Sequence, residues 1–512
     1  MRRTALAAAL PLVAVLALTA CGPTGGETPA SGPDAAAEAD PDATINIGSM
    51  YEPQNLDNTS GGGQGVTEAL TGNVYEGLFR LADSGEVEPL LAADHEVSED
   101  GLVYTLSLQE GVSFHSGDPL TADDVVFSIE KVIADDSQSA RKSQLEVIDS
   151  VRAVDDQTVE MVLSEPSISF VYNLTYVWIV NSSFDGDRKS AADGTGPYAL
   201  GQWTRGSALS LERSDDYWGE APANAGVVFH YFTDATALNN ALLTGAVDVV
   251  TSQQSPDGLA QFELTDDFVI SDGDSTTKLL LAFDDREAPF DDVRVRQAIS
   301  YAIDDEKLLD SVWGDYGTLI GSMVPPTDPW YEDLTDLDPY DPERARELLE
   351  EAGLANGFSF TLDTPNYDPH PTAATFIQSQ LAEVGIAVEI NTITPDEWYT
   401  KVYQNREFDA TLQEHVNDRD LVWYGDPDFY WGYDNADVQE WVAQSELVSS
   451  EAEQTELLKL VARTTAEEAA SEWLYLYPQI VVARAELDGY PLNGLNSQFF
   501  AYDITKAGAQ AE

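Results

Sequence analysis

Arg419 is one of 25 lysines and arginines in a chain of 512 residues that also carries 91 aspartates and glutamates. A guanidinium so outnumbered, with Asp418 and Asp420 on either side, can pair a ligand carboxylate through its planar fork or neutralise its own neighbours. Shortly after it, Trp423, Tyr424, Phe429, Tyr430, Trp431 and Tyr433 crowd into eleven positions. Aromatic faces at that density can stack sugar rings or hold apolar side chains, and part of the cluster is expected to serve the core. Covalent chemistry is poorly supplied. The chain has no nucleophile elbow, no HExxH and no CxxC, and the run Ser60-Gly61-Gly62-Gly63-Gln64-Gly65 lacks the Lys-Ser/Thr of a phosphate cradle. His95, His115, His230, His370 and His415 show no metal-ligand spacing, and Asp185-Gly186-Asp187 falls short of a calcium loop. Carboxylates are too many for any pair to single out glycoside hydrolysis. From these residues no enzyme, no cofactor and no metal is expected. An exported hydrolase is the enzymatic alternative, and an adhesin or structural lipoprotein the third.

The elements that would position such residues begin with an export signal. Arg2 and Arg3 precede an uncharged apolar run from Thr4 to Leu18, followed by Thr19-Ala20-Cys21, the order of a secretory leader with a small-residue cleavage site. Leu18-Thr19-Ala20-Cys21 fits a bacterial lipobox, and Cys21 is the one cysteine of the chain, so it has no intrachain disulfide partner. The sequence predicts cleavage after residue 20 and lipidation of Cys21, which anchors the protein to the cell membrane by acyl chains. No later stretch has the roughly 18 apolar residues of a span. Residues 21–42 are small, polar or acidic, without aromatic or branched aliphatic residues, and read as a disordered tether. The remaining 470 or so residues are long for one core. A net charge of -66 excludes nucleic acid as a partner and favours a soluble monomer.

Val97 to Val132 is the stretch around which the rest of the chain is organised. Ser98-Glu99-Asp100-Gly101 is a turn cluster, after which Tyr104, Leu106 and Leu108 alternate as on a half-buried strand. Val112 and Phe114 alternate again beyond Glu110-Gly111, Ser116-Gly117-Asp118-Pro119 turns the chain, and Thr121 stands as the N-cap of a helix through Val125, Ile129 and Val132. Asp123 and Asp124 favour the positive end of that helix.

The order of residues in this stretch resembles the family-5 solute-binding proteins, the extracytoplasmic peptide, nickel and oligosaccharide receptors of ABC importers. Ser98, Asp100-Gly101-Leu102, Tyr104-Thr105, Leu108, Gly111-Val112, Phe114-His115, Gly117, Pro119-Leu120-Thr121-Ala122 and Asp124 to Ser128 carry the resemblance. Gln109-Glu110 departs from it, standing where the family has a basic residue. Pro53-Gln54-Asn55-Leu56-Asp57, Gly194-Thr195-Gly196-Pro197-Tyr198, Leu209-Ser210-Leu211-Glu212-Arg213 with Tyr217-Trp218-Gly219, and Asp291 to Asp304 extend it. The resemblance implies a two-lobed α/β fold of the periplasmic-binding-protein type, with mixed sheets, helices on both faces, an extra third domain and a ligand cleft between the lobes. Lobe I would take residues 43–87, 194–283 and 481–512, the small extra lobe 88–193, and lobe II 284–480. Crossings between lobes are expected at Thr276 to Phe283 and near Leu474 to Val482. The function implied is capture of a di- or oligopeptide outside the bacterial membrane, and its delivery to an ABC permease with separate ATPase subunits. An oligosaccharide or other small solute is the alternative.

For the site, the resemblance points first to the loop beside the ligand, hence Gly62, Gln64 and Tyr75. In peptide-binding members a strand like Phe408-Asp409-Ala410 leads to a Trp six residues beyond its Asp, and three further on to an Asp that pairs with the peptide's α-amino group. Counting forward puts His415 at the Trp position and Asp418 at the Asp position, with a five-residue insertion after them. Counting back from Asp426-Pro427 selects Trp423 instead and makes Asp426 the alternative anchor. Strand register is harder to shift than loop length, which favours Asp418. His415 departs from the family, and a plain hydrogen-bonded interface histidine is its structural reading.

Overall fold

Thr44–Ser49 alternates as a strand should, with Ile45 and Ile47 fully buried. The computed structural model describes residues 39–507, residues 62 and 254 excepted. The leader, Cys21, the tether to residue 38 and Gly62 lie outside the described residues. Thr44–Ser49 is the centre of a seven-stranded mixed sheet ordered Phe268–Gly273, Gln479–Arg484, Val249–Val250, Thr44–Ser49, Gly226–Tyr231, Ala208–Arg213, Tyr198–Thr204. It runs parallel to both neighbours. A strand from near the C-terminus, Gln479–Arg484, is inserted antiparallel between Phe268–Gly273 and Val249–Val250.

A second sheet of five strands is ordered Ala387–Ile393, Ser359–Pro365, Ala410–His415, Lys278–Phe283, Ser471–Leu476. Lys278–Phe283 is buried at all six positions, so its sequence shows an apolar run and not an alternation. Its side chains still divide by face. Leu279, Leu281 and Phe283 join one core with Ile299, Leu348 and Ile377 of the helices Val293–Ala302, Pro342–Glu351 and His370–Glu383. Leu280 and Ala282 join another with Trp431 and with Leu458 and Val461 of the helix Glu451–Glu467. The chain passes from the first sheet to the second over residues 274–277, and returns over Tyr477 and Pro478.

A third, four-stranded antiparallel sheet, Ala92–Val97, Val103–Leu108, Thr158–Leu163 and Ile148–Asp155, packs one face on the helix Ala122–Ile133. Thr121 caps that helix as expected: its backbone N–H and hydroxyl both donate to Asp124 Oδ2 at 2.9 Å. The strand expected at Val112 and Phe114 does not form. Gly117, at φ +91°, turns the chain back so tightly that a single bridge, Ser113 to Pro119, closes a loop there. Val112 and Phe114 are nevertheless buried, which is what their alternation recorded.

The Gly-Thr-Gly-Pro-Tyr and Tyr-Trp-Gly segments converge on one carboxylate. Glu76, 2 % exposed, accepts from Thr195 Oγ1 at 2.8 Å, Tyr217 Oη at 2.8 Å and Trp218 Nε1 at 2.9 Å. The glycines serve close approach and not a special turn: a Cβ on Gly194 would lie 2.0 Å from the Val74 carbonyl oxygen. Gly194→Ala is therefore expected to destabilise the protein by about 1–3 kcal/mol, seen as a lower urea midpoint with an unchanged slope.

Candidate ligand cleft

Where the chain crosses between the two large sheets, Ser275 and Thr277 on one passage and Tyr477 and Pro478 on the other border a cavity of about 570 Å³. Gln64 and Glu68, from the helix Gln64–Leu70 beside the first sheet, form part of its wall, and Tyr367 and Glu414 come from the side of the second. A cavity of about 320 Å³ adjoins it. The two share Gln64, Val416, Ser497 and Gln498, and the smaller one extends to Arg141 and Tyr176, which belong to the chain around the third sheet.

The larger cavity is acidic. Glu68, 4 % exposed, accepts from Ser49 Oγ at 2.5 Å, and burial pushes its carboxyl up to about 7. Glu414 accepts from Tyr367 Oη at 2.9 Å, and burial raises it likewise. The smaller cavity has Arg141 on its wall. One guanidinium nitrogen of Arg141 lies 2.8 Å from Asp418 Oδ1, and its plane sits 3.9 Å from the centre of the Tyr176 ring. Tyr176 Oη also donates to Asp418 Oδ1, at 2.9 Å. Among the described residues no group of three His, Cys, Asp or Glu is placed to hold a metal ion.

The residues expected from the sequence separate by place. Gln64 borders both cavities. Asp418 is 6 % exposed and holds Arg141 directly behind the wall residue Asn417, so a cation of the chain itself occupies the carboxylate expected to meet a ligand amine. Arg419, in a left-handed backbone conformation at φ +55°, lays its guanidinium 3.3 Å over the Tyr172 ring. His415 has both ring nitrogens engaged, with Asp420 Oδ2 at 3.3 Å and Tyr430 Oη at 3.0 Å. Trp423 stacks on Phe429 and donates to Asp420 Oδ1. Asp426 ends the short helix Asp420–Gly425 and accepts from the Asp428 N–H at 2.9 Å. Tyr75 is 3 % exposed and stacked on Trp178 in the first sheet's core. Tyr424, Tyr430, Trp431 and Tyr433 are buried as well, their rings packed on one another, so they offer no open face to a sugar.

Residues 86–438 match the family described as bacterial extracellular solute-binding proteins, family 5 Middle. The chain belongs to this family. It is 31% identical to the dipeptide-binding protein of Escherichia coli (strain K12) over 381 residues, 68% of this chain and 70% of that protein. It is 29% identical to the glutathione-binding protein GsiB of Pectobacterium atrosepticum over 371 residues, 69% of each. Among solved structures, the ABC transporter substrate-binding protein CtaP of Listeria monocytogenes superposes with a TM-score of 0.82 at 22% identity, over 92% of this chain and all of that one. This family-5 protein is thus an extracytoplasmic substrate-binding protein of an ABC importer with the two-lobed fold, a receptor and not an enzyme.

Sequence reasoning missed the residues that give this family-5 cleft its polarity: Glu68, Glu414, Arg141 and Asn496. Arg141 had a readable signal, because the scarcity of cations that singled out Arg419 applies to it equally. Glu68 and Glu414 had none, since two glutamates among 91 acidic residues do not stand out.

Proposed function

We propose that this receptor captures a peptide of two or more residues in the two adjoining cavities, is held at the outer face of the bacterial membrane by lipid on Cys21, and hands its ligand to the permease after lobe closure. The observation that carries the reading is the cleft itself. Its walls come from both large sheets and from the chain around the third, and they offer carboxylates and hydroxyls at one end and amide and guanidinium donors at the other. A peptide backbone, alternating donor and acceptor along its length, suits such a lining. The sequence likeness to relatives named for a dipeptide and for glutathione supports the same ligand class. An oligosaccharide has less support, because the aromatic cluster that would stack it is spent on internal packing.

The mechanism rests on the two short passages. Ligand seated between the sheets contacts both lobes only when they are together, so it binds the closed form better and shifts the population toward it. Residues 274–277 and Tyr477-Pro478 are the segments about which the lobes turn. The closed surface then meets the permease, whose ATPase partners supply the work of import.

Native mass spectrometry of the protein purified from its own membranes without refolding tests both parts. A heterogeneous set of peptide-sized adducts is expected, together with a diacylglyceryl mass on the mature chain that Cys21→Ser abolishes. A single adduct with hexose spacing would overturn the peptide reading, and an unmodified Cys21 the anchor.

A further inference from the structure

The two cavities differ in electrical character. Among the described residues, none bordering the larger one is a lysine, arginine or histidine, whereas Glu68 and Glu414 face it from opposite lobes, with Asp234 and Asp368 in more exposed positions. Neither glutamate takes part in an ion pair among the described residues; Glu68 meets the hydroxyls of Ser49 and Thr251, and Glu414 those of Tyr367 and Tyr477. The titratable groups around them are mostly phenols: Tyr231 near Glu68, with Glu52 beyond it, and Tyr367, Tyr475 and Tyr477 near Glu414, with Tyr51 reaching Tyr367 and Tyr477 from the first lobe and His370, pushed down to about 4 by burial, packed on Tyr367. None of these groups is a cation that would compensate a negative charge. Bringing the lobes together on two ionised carboxylates is unfavourable unless both take up protons or a cation enters between them.

The smaller cavity has the opposite need. Arg141 is 7 % exposed and Asn496 8 %, both border that cavity, and Arg141 Nε and Asn496 Nδ2 have no hydrogen-bond partner among the described residues. A buried donor without an acceptor is costly, and a ligand oxygen would relieve it. Asp418 and the Tyr176 ring hold the guanidinium in position, so that Asp418 acts on the ligand through Arg141 as a positioning residue.

We propose that the cleft takes a dipolar ligand in one orientation, an ammonium or guanidinium group carried on an alkyl chain in the larger cavity between Glu68 and Glu414 and its carboxylate in the smaller one at Arg141 and Asn496. The inference rests on the reading of this cleft as the ligand site, and it narrows a peptide ligand to one with a basic residue at its leading end. It also makes charge part of closure: a cation between carboxylates of opposite lobes turns their repulsion into a bridge that exists only when the lobes are together.

Calorimetry on the ligand-free full-length protein with Lys-Ala-Ala, norleucine-Ala-Ala, Lys-Ala-Ala amide and 5-aminovalerate tests the proposal from the ligand's side. Lys-Ala-Ala is expected to bind at least tenfold more tightly than the norleucine peptide and than the amide, and Glu414→Gln to erase the first difference while the second persists. Equal affinities for the three peptides would overturn the dipolar orientation and leave a peptide receptor. Binding of 5-aminovalerate without any of the peptides would uphold the orientation and overturn the peptide reading. Binding of none of the four would overturn the inference.

Discussion

Asp418→Ala is expected to lower the stability of the ligand-free protein by about 3–5 kcal/mol, the usual consequence of removing one member of a buried ion pair. The side chains of Arg141 and Asp418 are 9% and 8% exposed, so neither charge has much water to fall back on. Truncation strands the guanidinium of Arg141 and removes the carboxylate that Tyr176 Oη donates to, leaving that phenol only the Tyr172 hydroxyl at 3.0 Å. The cation would retain the Tyr176 ring and the more distant Asp420 carboxylate, whose field it already feels. Urea unfolding should show the loss as a reduced midpoint, and replacing both partners by apolar residues, Arg141→Met with Asp418→Leu, should recover most of it. An Asp418 that served only to meet a ligand amine would behave otherwise: affinity would fall and the urea midpoint would stay in place.

That contrast shows where sequence reasoning stops. The strand Ala410–His415 was reached through the resemblance of Phe408-Asp409-Ala410 to a family strand, and counting along it arrived at the Asp that the structure places next to the cleft wall. Its partner was not legible. Arg141 lies 277 positions away, within the stretch of chain that forms the third sheet and across the first passage between lobes, and no local rule of spacing reports which cation closes on which carboxylate at that range. Periodicity and turn residues did report the local elements, because each strand's alternation or apolar run is set by what covers its own two faces. They misreported Val112 and Phe114, where a buried alternation stands in a loop closed by one bridge. They also could not separate the six aromatic residues after position 422 into core and site. Burial decides that division, and the four rings that pack beneath the second sheet look in sequence like the two that remain half-exposed.

The same limit explains His415 and Asp420. A histidine at a family tryptophan position suggested an altered ligand contact, but the ring is held between Asp420 and the Tyr430 hydroxyl. Lys278, fully buried on the central strand, lies 3.7 Å from the same Asp420 and donates to the Asn417 carbonyl oxygen. Asp420 therefore gathers an imidazole, an ammonium and the Trp423 indole, and against the opposing effect of burial its pKa is depressed by the Lys278 charge and the His415 hydrogen bond. This cluster fixes the loop that carries Asn417, Asp418 and Arg419. Asp418 on that loop is the residue that meets Arg141.

Glu68→Gln is expected to make the ligand-free protein more stable at pH 8 by roughly 3 kcal/mol while it weakens binding of a cationic ligand. Burial holds the Glu68 carboxyl at about 7 against an ordinary 4.5, so the folded protein keeps this proton more tightly than the unfolded chain does. The stability that this proton confers is complete below pH 4.5, declines as pH rises, and is gone above 7, where the ionised carboxylate burdens the folded state. Glutamine can still accept from the Ser49 hydroxyl and carries no charge at any pH. The stability difference between variant and wild type, measured by urea unfolding at pH 5 and pH 8, should therefore open with pH. A difference independent of pH would mean that Glu68 does not ionise in this range. Glu472, also raised to about 7 and sharing its environment with Asp305, keeps titrating in both proteins and cancels in the comparison. A carboxylate that costs the folded protein stability in the empty cleft becomes favourable only when a cation arrives, so the strain of the ligand-free state adds to the selectivity for the ligand that relieves it.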